Sequence, residues 1–393
     1  MKYTEFTMKT IGVIFGGRSV EHDISIITGQ FIIAALRAAP GFVPVPIYIA
    51  RSGRWYSGES LADIVTFRRP DFEQHLESLR RPVIRTDGEL SLSFPGLFGA
   101  GATRRIGVVF PALHGTNGED GMLAGILSGA ALPFVGCDIT ASAIAMDKAL
   151  AKIVTERAGI PSTPYVFFTA DEWAAERSRI EKEVALLRVP LFVKPVHLGS
   201  SIGITRIVAQ TGLAQAVEVA LHYDDKVIVE QGVPNVMEVN CAVLGNEEVR
   251  TSALEQPLAK AALLSFDDKY MRGGKGSKGG SGSMSGEKNS VKIPAPVDEK
   301  TAATIRELAV RAFRAIGGSG TARFDFLIDQ ESRSVYLNEI NPLPGSLQQH
   351  LWKASGVSNI ELVTTLIVLA EERFAEKNKR VTTFASSVLQ QLG

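Results

Sequence analysis

Two short segments near the C-terminal end hold acidic, amide and basic side chains at a spacing typical of a metal site. Arg323 and Asp325 lie two residues apart in RFDF, as do Glu339 and Asn341 in NEIN. Side chains two apart on a strand point to the same face. Carboxylate and amide oxygens suit a hard divalent cation such as Mg²⁺, which often binds with nucleotide phosphates. Surface strands of alternating polarity are the alternative, and Arg323 is then a simple ion pair rather than a group that stabilises a transferring phosphoryl group.

A second candidate is the glycine- and serine-rich segment VKPVHLGSSIG (193–203), which lies between two predicted strands. Its backbone N–H groups and hydroxyls are suitable donors for phosphate oxygens. The segment is not a Walker loop, and a plain hairpin turn is the alternative. Lys194 favours the phosphate interpretation, because a cation on a buried strand is costly unless it meets an anion. Lys148, in AMDK, is weaker evidence, because a helical lysine commonly faces solvent.

Glu21 and His114 are candidates in the N-terminal part of the chain. Glu21 follows a glycine turn and opens a predicted helix, and His114 begins the loop HGTNGEDG (114–121). Both lie at strand ends, where open α/β sheets bind their ligands. A first-turn acid that favours the helix dipole and a loop histidine without a ligand are the alternatives.

The elements that must position these residues alternate between strand and helix. The N-terminal strands, predicted at 11–17, 42–50, 106–113 and 131–136, alternate with helices in a pattern typical of a parallel sheet covered on both faces. After residue 140 the pattern predicts one amphipathic helix over 141–160. Strand candidates of a smaller α/β layer follow at 190–196, 204–208 and 226–233, and a third unit begins at 238. The predicted fold class is therefore α/β, with an α+β character in the C-terminal half.

The segment RGGKGSKGGSGSMSG (272–286) has the composition of a flexible linker. Regular structure is predicted soon after it, and the third unit needs segments from both sides. We therefore expect a mobile loop within one domain rather than a domain boundary.

Composition excludes several classes of protein. The 393 residues imply two or three domains. Lys plus Arg is 42 and Asp plus Glu is 42, so the chain lacks the charge that binding to nucleic acid or an anionic membrane requires. Two cysteines form no disulfide framework or metal-site spacing, which favours a reducing cytoplasm. No uncharged apolar run reaches the roughly 20 residues needed to span a bilayer.

Taken together, these segments resemble the D-alanine–D-alanine ligases of the ATP-grasp superfamily over nearly the whole chain. The runs that carry the resemblance are FGGRSVEHDIS (15–25), FPALHGTNGEDG (110–121), SAIAMDK (142–148), FVKPVHLGSSIG (192–203), VIVEQ (227–231), DDKY (267–270), ARFDF (322–326) and NEINPLPG (338–345). The resemblance implies an ATP-grasp fold of three α/β domains, at 1–138, 139–232 and 233–393, with ATP between the last two. It also implies a mobile lid over 267–292, which shields a reactive intermediate from water.

The activity that the resemblance implies has two steps. ATP phosphorylates the carboxylate of one D-alanine, and the amine of a second D-alanine then attacks the acyl phosphate to give D-Ala-D-Ala, ADP and phosphate. The implied metal is Mg²⁺, as two ions, with Mn²⁺ as an alternative. The implied setting is peptidoglycan synthesis in the cytoplasm by a homodimer that acts on small amino acids, with neither nucleic acid nor membrane as a partner.

The resemblance also assigns individual residues. Its ATP-site residues are Lys148 and Lys194 at the phosphates, Ser200 and Ser201 in the covering loop, Glu230 and Glu238 at the adenosine, and the backbone near Val233 at the adenine edge. Its substrate residues are Glu21 at the first amino group, His114 near the first carboxylate, Lys269 and Tyr270 on the lid with Ser200 as their hydrogen-bonding partner, and His350 and Leu351 at the second substrate. Its oxyanion-stabilising groups are Arg323 and the Gly345 N–H, and its metal ligands are Asp325, Glu339 and Asn341.

The run NPLPGSLQQHLW (341–352) departs from the family pattern. Pro342 replaces a threonine, and His350 stands where the family has a serine that contacts the carboxylate of the second substrate. An altered acceptor, such as another amino acid, a hydroxy acid or an amine of a specialised metabolite, is therefore the alternative that keeps the chemistry. A nucleotide-binding protein without turnover is disfavoured, because the candidate catalytic and metal residues are all present. A dehydrogenase is disfavoured because no GxGxxG follows a strand and opens a helix.

Overall fold

The computed structural model describes residues 8–79, 81, 83–86, 90–93, 103–258, 291–381 and 386. Its strands are β1 (Lys9–Gly16), β2 (Phe42–Ile49), β3 (Trp55–Ser57), β4 (Val83–Thr86), β5 (Leu90–Ser93), β6 (Thr103–Ile106), β7 (Val108–Pro111), β8 (Tyr165–Thr169), β9 (Leu191–Pro195), β10 (Thr205–Ile207), β11 (Lys226–Gln231), β12 (Val236–Gly245), β13 (Val249–Thr251), β14 (Gln256–Pro257), β15 (Val291–Lys292), β16 (Gly320–Asp329) and β17 (Val335–Asn341). Its α-helices are α1 (His22–Ala38), α2 (Phe72–Ser78), α3 (Met122–Gly129), α4 (Ile139–Met146), α5 (Lys148–Arg157), α6 (Ala170–Val184), α7 (Leu213–Leu221), α8 (Glu299–Ala315), α9 (Gln349–Ala354) and α10 (Asn359–Asn378).

The N-terminal sheet has the strand order β3-β2-β1-β7, and β1 runs parallel to both β2 and β7. The apolar run of β1 is buried, as expected for a strand covered on both faces. Gly16, the last residue of β1, and Gly17 have φ of 92° and 95°, a left-handed conformation that favours glycine. The turn that follows places Glu21 at the start of α1. The predicted parallel arrangement is therefore confirmed for β2, β1 and β7, whereas the edge strand β3 runs antiparallel to β2.

Two sequence-based predictions of secondary structure are wrong. The segment 131–136 contributes only an isolated bridge, between Val109 and Phe134, rather than a strand; the chain turns at Gly136, where φ is 98°. The single helix predicted over 141–160 is two helices. Asp147 is extended, and its carboxylate accepts a hydrogen bond of 2.8 Å from the Leu150 N–H, so it caps a new helix. Lys148 is therefore the first residue of α5.

The central sheet, in the order β10-β9-β11-β8, is antiparallel throughout. Its apolar core includes side chains of α6 and α7. Lys194 on β9 lies opposite Ile228 on β11, two residues before Glu230. The turn between β9 and β10 contains the serine-rich loop, so the pairing of these strands fixes both ends of that loop.

The third sheet, β13-β12-β16-β17, is also antiparallel, and α8 contributes to its apolar core. Arg323 on β16 lies opposite Asn341 on β17, and Asp325 lies opposite Glu339. The four residues selected from their spacing of two are therefore neighbours across one pair of strands, as the sequence predicts.

The last helix returns to the first. Residues of α10, among them Leu362 and Leu366, share one buried cluster with Ile32 and Leu36 of α1. No single helix in the described ranges is long and apolar enough to cross a membrane. Residues 345–354 and 359–378 pass that test only as a pair bent by 119°, and both helices place leucines in this core.

Candidate functional site

A cleft that is partly open to solvent brings together residues from the three parts of the chain that contain these sheets. Its lining residues are Glu21, Ile24, His114, Glu119, Ala145, Met146, Lys148, Gly199, Ser200, Arg323, Glu339, Ile340, Asn341, Leu343, Pro344 and Gly345. Eight of the residues selected from the sequence are among them: Glu21, His114, Lys148, Ser200, Arg323, Glu339, Asn341 and Gly345.

Arg323 and Asp325 form a bidentate ion pair at the floor of the cleft. The Arg323 Nε and Nη2 donate to the two oxygens of Asp325 at 2.6 and 2.7 Å. Burial alone lowers the pKa of Arg323, but the charge and hydrogen bonds of Asp325 raise it above its ordinary value, so the guanidinium stays charged. This contact uses only the Nε and Nη2 of the guanidinium.

The carboxylates of this site are a suitable donor set for a hard cation. The Asn341 Nδ2 donates to Asp325 Oδ2 at 3.2 Å, so the carbonyl oxygen of this amide is free to act as a ligand. Asp325 is almost fully buried and lies opposite Glu339 on the next strand. Two facing carboxylates and an amide oxygen, with little water to separate the negative charges, fit Mg²⁺ or Mn²⁺.

Three buried lysines lie on the adjoining elements. The Lys148 Nζ donates to the Leu198 carbonyl at 2.6 Å, at the base of the serine-rich loop. Lys194 forms a buried ion pair with Glu230, whose other oxygen lies 3.2 Å from Lys152 Nζ. Burial lowers the pKa of both Lys148 and Lys152. Burial raises the pKa of Glu230, but the two lysines outweigh this effect and lower it to about 2.

The serine-rich loop contacts the N-terminal unit directly. The Ser200 hydroxyl donates to the Glu21 carboxylate, and Ser200 and Ser201 have φ of 54° and 61°. Burial and the nearby Glu119 raise the pKa of Glu21. A cationic group in the cleft would relieve this repulsion, so the geometry suits an ammonium group beside Glu21.

His114 is held by residues that the sequence analysis did not select. The Thr28 hydroxyl lies 2.7 Å from His114 Nε2 and accepts a hydrogen bond of 2.9 Å from the Ser346 N–H. Glu119 accepts from the Gly115 and Leu343 N–H groups at 2.8 and 3.2 Å. These contacts fasten the segment after β17 to the N-terminal unit.

Lys152 and Glu119 belong to this site but are not among the residues that the sequence predicts. Lys152 follows Lys148 by four residues and so lies on the same side of α5, a signal that was available. Glu119 lies within the candidate loop HGTNGEDG (114–121), but nothing in the sequence indicates its contact with Leu343.

Several predicted residues do not line the cleft. His350 is exposed and donates to Glu255, and Leu351 is fully buried in the core, so only its backbone can meet a ligand. Glu238 is exposed on β12, and Val233 is half-buried just after β11. Lys269 and Tyr270 lie outside the described residues, as does most of the predicted lid.

Comparison with known proteins gives one consistent family. The family model described as D-ala D-ala ligase N-terminus matches residues 10–137, and that described as D-ala D-ala ligase C-terminus matches residues 154–368. A D-alanine–D-alanine ligase of Heliobacterium modesticaldum is 37% identical over 383 residues, covering 95% of this chain and 98% of the relative. One from Bacillus licheniformis is 37% identical over 384 residues, covering 96% and 100%.

Solved structures agree with this result. The D-alanine–D-alanine ligase of Coxiella burnetii superposes with a TM-score of 0.74 at 30% identity, covering 95% of this chain and 97% of that one. The VanG D-Ala:D-Ser ligase of Enterococcus faecalis superposes with a TM-score of 0.75 at 31% identity, covering 92% and 99%. The predicted fold class, α/β of the ATP-grasp type, is thereby confirmed.

Proposed function

Since the chain belongs to the D-alanine–D-alanine ligase family, whose members are ATP-dependent carboxylate–amine ligases, we propose that its cleft joins D-alanine to D-alanine. The observation that supports the proposal is that one cleft is lined by Lys148, which is suited to phosphates, by the metal-ligand candidates Glu339 and Asn341, and by Arg323. The peptide product serves peptidoglycan synthesis in the cytoplasm.

In the first step, a carboxylate oxygen of the donor amino acid attacks the γ-phosphorus of ATP, and ADP leaves. Lys148 and Lys194 hold the phosphates, while Ser200 and Ser201 cover them. Glu21 binds the ammonium group of the donor, and His114 lies near its carboxylate. Two magnesium ions bound by Asp325, Glu339 and Asn341 would neutralise charge on the phosphates.

In the second step, the acceptor amine attacks the carbonyl carbon of the acyl phosphate. Negative charge moves to the carbonyl oxygen, where Arg323 Nη1 and the Gly345 N–H stabilise it. The tetrahedral intermediate collapses with loss of phosphate, and the nitrogen gives up a proton as the peptide bond forms. Adenosine lies beside Glu230, Glu238 and the backbone near Val233.

The test is phosphate release with ATP and Mg²⁺ across D- and L-amino acids, hydroxy acids and simple amines. Each compound is tested alone and with D-alanine, and products are identified by mass. We expect D-Ala-D-Ala as the dominant product. Phosphate release only with some other acceptor would contradict the proposed product while leaving the ATP and donor halves intact.

A different acceptor is the second candidate, because His350 departs from the family pattern and is paired with Glu255. His350 Nε2 lies 2.6 Å from a carboxylate oxygen of Glu255, which is 5% exposed, whereas His350 is 46% exposed. Burial raises the pKa of Glu255, but the hydrogen bond and charge of His350 outweigh it and lower that pKa. Because an ionised carboxylate only accepts, Nε2 carries a proton in this contact.

His350→Ser tests that candidate. We expect an altered acceptor preference, or an altered pH dependence of acceptor use, with donor activation unchanged. His222→Ser, at an exposed position on another unit, is the control. An unchanged acceptor preference would mean that the histidine is incidental to the choice of acceptor.

We also propose that the chain forms a homodimer, as the resemblance to the family implies and as an exposed apolar face supports. Met122 and Ile126 on α3 and Ile139 on α4 are each about half exposed, and Gly121 packs against Ile139. Sedimentation equilibrium should give twice the chain mass of 42.3 kDa, and a single-chain mass would contradict the dimer.

A further inference from the structure

His197 lies at the base of the serine-rich loop, between two carboxylates from different elements. Its Nδ1 lies 2.9 Å from Asp224 Oδ1, and its backbone N–H donates to Asp224 Oδ2 at 2.6 Å. Its Nε2 lies 3.4 Å from Asp147 Oδ2, which also accepts a hydrogen bond of 2.8 Å from Lys226 Nζ. We call these four residues, Asp147, His197, Asp224 and Lys226, the loop-base cluster.

Three segments that contain residues of the loop-base cluster also contain residues of the proposed ATP site. Asp147 caps α5 immediately before Lys148, so it fixes the position of the helix that carries that lysine. His197 precedes Gly199 and Ser200, which line the cleft, by two and three residues. Lys226 begins β11, the strand that carries Glu230.

Backbone hydrogen bonds beside the loop-base cluster also connect these three segments. The Lys148 N–H donates to the Val196 carbonyl at 3.4 Å, and the Val196 N–H donates to the Lys226 carbonyl at 3.1 Å. The helix, the loop and the strand therefore meet at one point. Any shift of His197 changes the position of the loop relative to Lys148.

His197 is charged at neutral pH. Hydrogen bonds to Asp147 and Asp224 raise its pKa to about 9, against a smaller opposing effect of burial. The imidazole, Asp224 and Asp225 also lie close enough together to bind a metal ion. An imidazolium has no lone pair for a metal, so the ion-pair role and a metal role exclude each other, and the raised pKa favours the ion pair.

We propose that His197 is a positioning residue that, as a cation between Asp147 and Asp224, holds the serine-rich loop in register with Lys148 for nucleotide binding. The inference rests on the proposed function only in requiring that this cleft bind a nucleotide. It assigns His197 no contact with substrate.

The pH dependence follows from the charges that face His197. These are Asp147 on the α5 side, and Asp224, Asp225 and Lys226 on the β11 side. Because the pKa of His197 is raised by folding, the stabilisation is complete below about 6.5, the ordinary value, and is lost as pH rises through about 9. Nucleotide affinity should therefore fall between pH 8 and 10.

The test compares His197→Gln, which removes the charge, with His197→Arg, which keeps a cation. Binding of a non-hydrolysable ATP analogue with Mg²⁺ is measured by calorimetry from pH 7 to 10, and KM for ATP and kcat are measured in parallel. At pH 7 we expect His197→Gln to weaken binding about tenfold with little change in kcat. The wild-type affinity should approach that of His197→Gln above pH 9, whereas His197→Arg should keep the higher affinity.

Hydrogen exchange of the amides at 198–203 gives a second readout that needs no turnover. We expect faster exchange in His197→Gln, and wild-type exchange in His222→Gln, the matched control at an exposed position three residues before Asp225. Equal nucleotide affinity of wild type and His197→Gln at every pH would overturn the inference alone. A wild-type chain that binds no nucleotide would overturn the proposed function as well.

Discussion

At the scale of single residues, the most demanding arrangement is the pair of facing carboxylates on β16 and β17. Asp325 and Glu339 lie opposite each other across the strand pair, and the charge of Arg323 acts on both of them, most directly on Asp325 through its bidentate contact. Two adjacent carboxylates in a poorly hydrated cleft repel each other less when a cation lies between them. The arrangement therefore suits the binding of a divalent metal.

Glu339→Gln keeps the size of the side chain and removes one negative charge from this pair. We expect kcat to fall by about 100-fold or more, equivalent to about 3 kcal/mol of transition-state stabilisation, because the metal site is weakened. Steady-state kinetics over a range of Mg²⁺ concentrations is the measurement. Glu331→Gln, at an exposed position in the turn between the same strands, is the control, and a near-normal rate for Glu339→Gln would rule out the metal assignment.

The sequence predicts these residues because strand periodicity is a local property. A spacing of two places Arg323 beside Asp325 whatever the rest of the fold does. Glu255 could not be predicted in the same way, since its partner His350 lies 95 residues further along the chain. The sequence likewise gives no indication that Thr28 meets both His114 and Ser346, because all three lie on different elements.

At the scale of elements, α5 is short but carries two buried cations on one side. Lys148 and Lys152 are one turn apart, and the cap at Asp147 sets where that turn begins. The periodicity of apolar residues predicts a longer, unbroken helix. It misses the break because a cap is decided by one carboxylate and the backbone N–H three residues later, not by the apolar pattern.

Lys152→Met removes the charge while keeping most of the apolar volume. Glu230 would then be paired with Lys194 alone, and it would compete with the phosphates of ATP for that lysine. We therefore expect KM for ATP to rise about tenfold, with a smaller effect on kcat. ATP saturation curves give both constants. Lys182→Met, on the exposed side of α6, should behave as wild type, and an unchanged KM in Lys152→Met would show that Lys152 has only a packing role.

At the scale of the whole molecule, the first and last helices of the described residues complete one core. The last helix packs on α1, and Arg373 within it reaches back to the segment before α4. The Arg373 guanidinium donates to the carbonyls of Phe134 and Gly136 and to Ser319, and it lies 4.4 Å from the centre of the Phe134 ring. One side chain therefore connects α10 with both the N-terminal unit and the third sheet.

Arg373→Ala tests how far this connection stabilises the fold. We expect the free energy of unfolding to fall by about 2–4 kcal/mol, because buried carbonyls lose a charged donor. Urea titration followed by circular dichroism measures the change. Arg380→Ala, at an exposed position just past the same helix, should stay within about 0.5 kcal/mol of wild type, and equal losses in both variants would argue against a specific role for Arg373.

The shared core also has a consequence for synthesis of the protein on the ribosome. Because α10 contributes to the same buried cluster as α1, that cluster is incomplete in the nascent chain until residues 359–378 have left the exit tunnel. More than three hundred residues are translated in that interval. A helix formed early in translation thus completes its packing only when the C-terminal part of the chain has been made.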